Sequence, residues 1–186
     1  MLAKSWWLKK AVNNSGFTTM NNKQEAQFLL KGFETAYNWT LKLVKDVPAE
    51  DWGKTIDPLN TTLNWQLGHL VVTLYYQALV CTGADRGTIK EVIPVKDYIK
   101  WYSMGSSPGA EGKPGKADLL QALEVVYQQV QKVLPHITDE QLEEGVASPH
   151  PVAKTKGQAL LWCSHHQSWH NGQIALTKRI LFGKSF

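Results

Sequence analysis

The segment His165-His166-Gln167-Ser168-Trp169-His170, close to the C-terminal end, holds three of the chain's six histidines. On a helix, residues 166 and 170 stand one turn apart and differ by only about 40° around the axis, so both imidazoles can face one point. Neutral imidazole is a favoured metal ligand, and a pair at i and i+4 supplies two donors from one rigid element. His165 lies about 100° from His166 and is expected at the surface, behind the ligands, or as a proton carrier. A zinc-protease pattern is excluded, because its general-base glutamate directly after the first histidine is here Gln167. Two donors are too few for a stable site, so a third must come from another element.

His69 is the best third donor. It sits in the middle of an apolar stretch, between Gly68 and Leu70 and one turn after Trp65. A lone histidine in that position would otherwise be a hydrogen-bonded core residue. His136, which follows Pro135, and His150, between Pro149 and Pro151, read as loop residues. Cys163, three residues before His166, is either a fourth ligand or an inert buried thiol, and the second reading is the simpler. Trp65, Tyr76, Trp162 and Trp169 are candidate walls of a pocket above the ligands, with core packing as the alternative for each.

Four long helices have to position these side chains. The first spans about Asn22 to Lys45: Asn22 and Glu25 have capping-box spacing, and Phe28, Leu29, Phe33, Tyr37, Leu41 and Val44 form one apolar face. Pro48 ends it, and Trp52 is expected to pack down the connection that follows. The second begins after Asn60-Thr61-Thr62 and continues to Val80 or Cys81, with Leu63, Leu67, Leu70, Val71 and Leu74 apolar and Trp65, His69 and Tyr76 on an adjoining face. Residues 83–115 hold too many glycines and prolines for a long helix, although Val95 to Met104 suits a short one. So long a connection is either a binding element or a plain crossover. The third helix spans about Ala117 to Leu134, with Leu119, Leu120, Leu123, Val126, Tyr127, Val130 and Val133 inward. Thr138 and Gln141 cap a short turn, and Thr155 and Gln158 cap the last helix, which runs to about Leu181 before Gly183. No strand pattern or internal repeat is present, so the fold class is an all-α four-helix bundle.

With 186 residues, 43% hydrophobic and 19% charged, the chain suits one globular domain. Residues 20–186 are read as the bundle domain and residues 1–19 as an N-terminal extension. Met1 to Lys10, with Trp6, Trp7 and Leu8 among lysines, is too fragmentary for a secretory signal, so the expected location is cytoplasmic. The alternative for this arm is contact with a membrane surface or a partner helix. No apolar run approaches a membrane span. Cys81 and Cys163 make neither a disulfide framework nor a redox motif. The net charge of +4 and pI near 9.0 raise the question of nucleic acid, but the basic residues are dispersed and match no recognition motif, so no nucleic-acid partner is expected.

Trp65-x-x-x-His69 in helix two, together with His166-Gln-Ser-Trp-His170-Asn-Gly-Gln173-Ile and the following Ala-Leu-Thr-Lys-Arg-Ile-Leu-Phe-Gly183, resembles the two signatures of the DinB-like superfamily. Helix order and the long second-to-third connection are similar too, over roughly residues 20–186. The resemblance implies a four-helix bundle in which His69, His166 and His170 bind one divalent metal, zinc or nickel. Gln173 matches a polar position of the second signature, where its amide either orients a ligand or water, or satisfies a neighbouring helix. Gly172 inside a helix costs about 1 kcal/mol relative to Ala, for which close helix approach would compensate. Three histidines leave a coordination position for water or substrate. Similar proteins include transferases and isomerases that use mycothiol or bacillithiol, and a homodimer is a further implication. The leading expectation is therefore a metal-dependent transferase activating a low-molecular-weight thiol, or water, against a small electrophile. A hydrolase using metal-bound hydroxide is the second, although no carboxylate stands at a motif position to act as base. A non-catalytic, stress-related metal-binding protein is the third.

Overall fold

The computed structural model describes residues 24–184. The capping pair at Asn22 and the extension 1–19 lie outside the described residues. Helix α1, Gln24–Val44, buries Ala26, Leu29, Phe33, Ala36, Tyr37, Leu43 and Val44. Phe28, expected inward, is 72% exposed. It neighbours Leu29, about 100° away on the helix, and only one of the two can face the core. Leu41 is half-buried. Trp52 packs the following connection into the core, as expected.

Helix α2, Leu63–Leu74, starts where the Thr62 hydroxyl accepts a hydrogen bond from the Trp65 backbone N–H at 3.0 Å. It does not continue as the uniform α-helix expected: Tyr75–Val80 is wound as a π-helix. Short helices α3, Ile89–Val92, and α4, Val95–Tyr102, occupy the connection. Helix α4 stops two residues short of Met104, which is exposed, and Gly105 turns the chain with φ +85. Helix α5, Lys116–Val133, buries Leu119, Leu123, Val126 and Val130, with Leu120, Tyr127 and Val133 packed at the edge of the core. The Thr138–Gln141 capping box opens α6, Asp139–Glu143. Thr155 caps α7, Lys156–Phe182, which Gly183 ends in the left-handed region at φ 71. Among the described residues there is no β-strand, only two isolated bridges.

The contacts fix the helix directions. The stacked Tyr37–Tyr127 rings, 3.8 Å apart, and Lys116 donating to the carbonyls of Lys45 and Val47 set α1 antiparallel to α5. Thr40 with Asn171 and Lys178 with Asp46, both at 2.7 Å, set α1 parallel to α7. Gln66 bonded to Thr177, and Cys81 packed against Ala159, set α2 antiparallel to α7. The Asn64 amide donates to Pro114 O at the head of α5, while Tyr75 and Val126 share a small apolar cavity further along, so α2 and α5 run parallel. Between α1 and α7 lies a buried polar chain: the Gln167 amide donates to Thr40 Oγ1, Thr40 to Asn171 Oδ1, and the Asn171 amide to Ala36 O.

Candidate metal centre

The site begins with a close approach. At Gly68 a Cβ would run into the ring of Tyr102, which is fully buried, so only glycine lets α4 lie this tightly on α2. That seating brings the Tyr102 carbonyl to 2.6 Å from His69 Nδ1. A carbonyl only accepts, so Nδ1 carries the proton and Nε2 keeps its lone pair for a ligand. One turn earlier, Trp65 stacks on His69 with centroids 4.8 Å apart and planes 9° apart. Its indole N–H donates to Ser106 Oγ at 2.8 Å, and that hydroxyl donates to Trp101 O. The last residue of α4 and the turn that follows it therefore orient both side chains.

Helix α7 supplies the other two rings. The His166 and His170 centroids are 4.6 Å apart, and they lie 5.2 and 4.9 Å from His69. One ring nitrogen from each of the three falls within 4.8 Å of the others, an arrangement that could hold a metal ion. Burial is the main force holding all three neutral. It lowers His69, and with the nearby His69 and His150 it brings His166 to about 4. With His166 and His69 it brings His170 to about 3. Unprotonated nitrogen donors are what a metal requires, and His170 Nδ1 is buried with no hydrogen-bond partner among the described residues. The donor set, three neutral imidazoles without a carboxylate, fits zinc or nickel better than magnesium or calcium.

A cleft of about 440 Å³ opens beside the cluster and shares Trp65 with it. Gln173, one turn beyond His170, lines it with Thr61, Ser106, Pro108 and Leu176, and among the described residues no charged side chain takes part. Thr61 Oγ1 is buried there without a partner among the described residues.

The other sequence candidates distribute unevenly. The Trp162 ring lies 6.5 Å from His166. The Tyr76 hydroxyl donates to Pro149 O, so its polar end turns to the loop before α7. Trp169, considered as a pocket wall, is 63% exposed on the outer face of α7, and His165 is exposed as well. Cys163 is buried, its thiol pushed far up by desolvation, and is not part of the cluster. Gly172 meets no close helix among the described residues: a Cβ there would have none of their atoms within 4 Å. His136 is exposed, at the far end of the bundle. His150 lies in a loop, as expected, but it is half-buried and within electrostatic range of His166. The Tyr102 carbonyl, Ser106 and His150 are what sequence reasoning missed. Gly68 beside His69 was the one signal of the close approach that brings Tyr102 in.

The DinB superfamily profile matches residues 33–174. Among solved structures, a crystal structure described as a conserved protein from Enterococcus faecalis is similar in fold, with a TM-score of 0.65 and 16% identity over 89% of this chain and 99% of that one. No curated protein matches the sequence.

Proposed function

We propose that this chain, which belongs to the DinB superfamily, binds one divalent metal ion through His69, His166 and His170 and transfers a low-molecular-weight thiol to a small electrophile. The observation that carries this reading is the convergence of three neutral imidazoles, from positions about 100 residues apart, beside an open cleft. A bound zinc or nickel ion supplies Lewis acidity, which makes a thiol or water nucleophilic near neutral pH.

The chain's own residues then do the rest. The Tyr102 carbonyl holds the His69 ring in one tautomer and one orientation. Trp65, fixed by Ser106, stacks on His69 and also lines the cleft, which links the two. The uncharged lining suits an uncharged electrophile, and the Gln173 amide and Thr61 hydroxyl can orient its polar atoms. Hydrolysis would call for a general base, and among the described residues the cluster includes no carboxylate, which favours thiol transfer. A cytoplasmic setting, where small thiols stay reduced, is part of this reading.

Metal analysis of the purified chain, followed by turnover of epoxides and chloroaromatics with added thiols, tests it. Stoichiometric zinc or nickel with thiol-dependent turnover is the expected result. Turnover of esters or amides without thiol would replace it with hydrolysis. Metal without any turnover would leave a non-catalytic metal-binding protein.

A further inference from the structure

The loop between α6 and α7 carries a fourth histidine whose hydrogen bonding is half complete. His150 Nδ1 accepts from the backbone N–H groups of Val152, at 3.2 Å, and Ala153, at 2.9 Å. An accepting nitrogen is unprotonated, so the neutral ring carries its hydrogen on Nε2. That Nε2 is buried and has no partner among the described residues. Buried donors without an acceptor cost stability and are rare in native structures.

The place of the loop says what would accept. It is pinned to α2 by the Tyr76 hydroxyl, which donates to Pro149 O at 2.5 Å and lies 3.2 Å from Ser148 Oγ, and by the Ala147 N–H donating to Cys81 O at 2.7 Å. Tyr76 follows His69 by two turns, and Trp162 precedes His166 by one turn on the antiparallel α7. The loop therefore lies against the π-helical continuation of α2, on the face that carries His69 and toward the end of the bundle opposite the Trp65–Gln173 cleft. The electrostatic effect of His150 on His166 agrees with that placement, and burial favours the neutral form of His150 itself.

We infer that His150 is a binding residue whose Nε2–H donates to an anionic exogenous ligand, such as a thiolate, held at the His69/His166/His170 site. The inference rests on the metal reading above. His150 would give the anion a directional contact that the cation's spherical charge cannot.

The test uses the full chain loaded with cobalt(II), whose visible absorption reports its ligands, titrated with azide and with 2-mercaptoethanol. Two variants separate loop structure from ligand contact. His150→Ala removes both functions of the ring. His150→Asn keeps a side-chain oxygen for the Val152 and Ala153 N–H groups but loses the reach of Nε2. Both variants are expected to bind cobalt as the wild type does and to bind azide and the thiol about 10-fold more weakly, the effect of losing a hydrogen bond to a charged group. Azide and thiol affinity unchanged in His150→Asn would overturn the inference, leaving a loop-forming histidine. Loss of cobalt from either variant would also overturn it, making His150 a ligand instead. A wild-type chain showing no cobalt spectrum distinct from that of His69→Ala would remove the metal reading itself, and this one with it.

Discussion

Helices α2 and α7 bring histidines to the same point, yet they are held in opposite ways. Nine of the twelve residues of Leu63–Leu74 are buried, and α2 is covered by α4, α5 and α7. Only eleven of the twenty-seven residues of α7 are buried, and Trp169, Leu176 and Ile180 face outward. The difference reaches the three histidines. His69 has a backbone carbonyl on its far nitrogen and an indole on its face, whereas His170 Nδ1 has no partner among the described residues. One ring is set by the fold. On α7 the polar chain through Thr40, Gln167 and Asn171 fixes the helix rather than the imidazoles. The enclosed helix acts as the template against which the more open one completes the candidate site.

The largest effect should come from removing the template's own donor. His69→Ala is expected to lower metal affinity by at least about 100-fold, measured by calorimetric titration, and His170→Ala by a similar factor; retention of affinity in either would dismantle the site. Next, Gly68→Ala should cost roughly 2–3 kcal/mol in urea denaturation, because the new methyl displaces the buried Tyr102 ring. The same variant should weaken metal binding about 10-fold by moving the carbonyl from His69. A Gly68→Ala protein with normal stability and normal affinity would show that α2 is not pinned from α4.

A smaller effect follows from protonation of the metal-free chain. His166 at about 4 and His170 at about 3 in the fold both lie below the free imidazole value of about 6.5, so the unfolded chain takes up protons first as the pH falls. The contribution of these rings to stability is complete above about pH 6.5 and drains away as the pH drops toward 4 and then 3. Urea midpoints at pH 7 and pH 5 check the sign, and a midpoint that rose on acidification would mean the rings are charged in the fold. The smallest effect sharpens the contrast from the other side. Gly172→Ala, with open space at the new methyl, should stabilise the chain by about 0.5–1 kcal/mol and leave metal affinity untouched.

The legible parts of this molecule are those that helical periodicity or a local cap encodes. His166 and His170 could be placed on one face because residue number converts directly to angle, and Thr62, Thr138 and Thr155 marked helix starts through hydrogen bonds only three residues long. What escaped depends on distant geometry. Phe28 and Leu29 were equally apolar, and only the neighbouring helices decide which turns inward. Nothing in Tyr75–Val80 announces π winding. Gly68 and Gly172 look alike in sequence, yet one is pressed against a tyrosine ring and the other faces open space. The acceptor that orients His69 is a main-chain oxygen, which every residue has, so no side-chain type could flag Tyr102. His150 read as a plain loop residue because its orphaned nitrogen is defined by the loop's fold rather than by its neighbours in sequence.

The parallel course of α2 and α5 carries an arithmetic consequence. From Leu63 to Val80 the chain climbs roughly 27 Å, at about 1.5 Å per residue. To begin α5 at the level where α2 began, it must descend the same distance, which an extended strand would cover in about 8 residues. Residues 81–115 hold more than four times that length. The excess is where Tyr102 and Ser106 reside, so a detour imposed by connectivity became the raw material for shaping one wall of the cleft and aiming one of the rings.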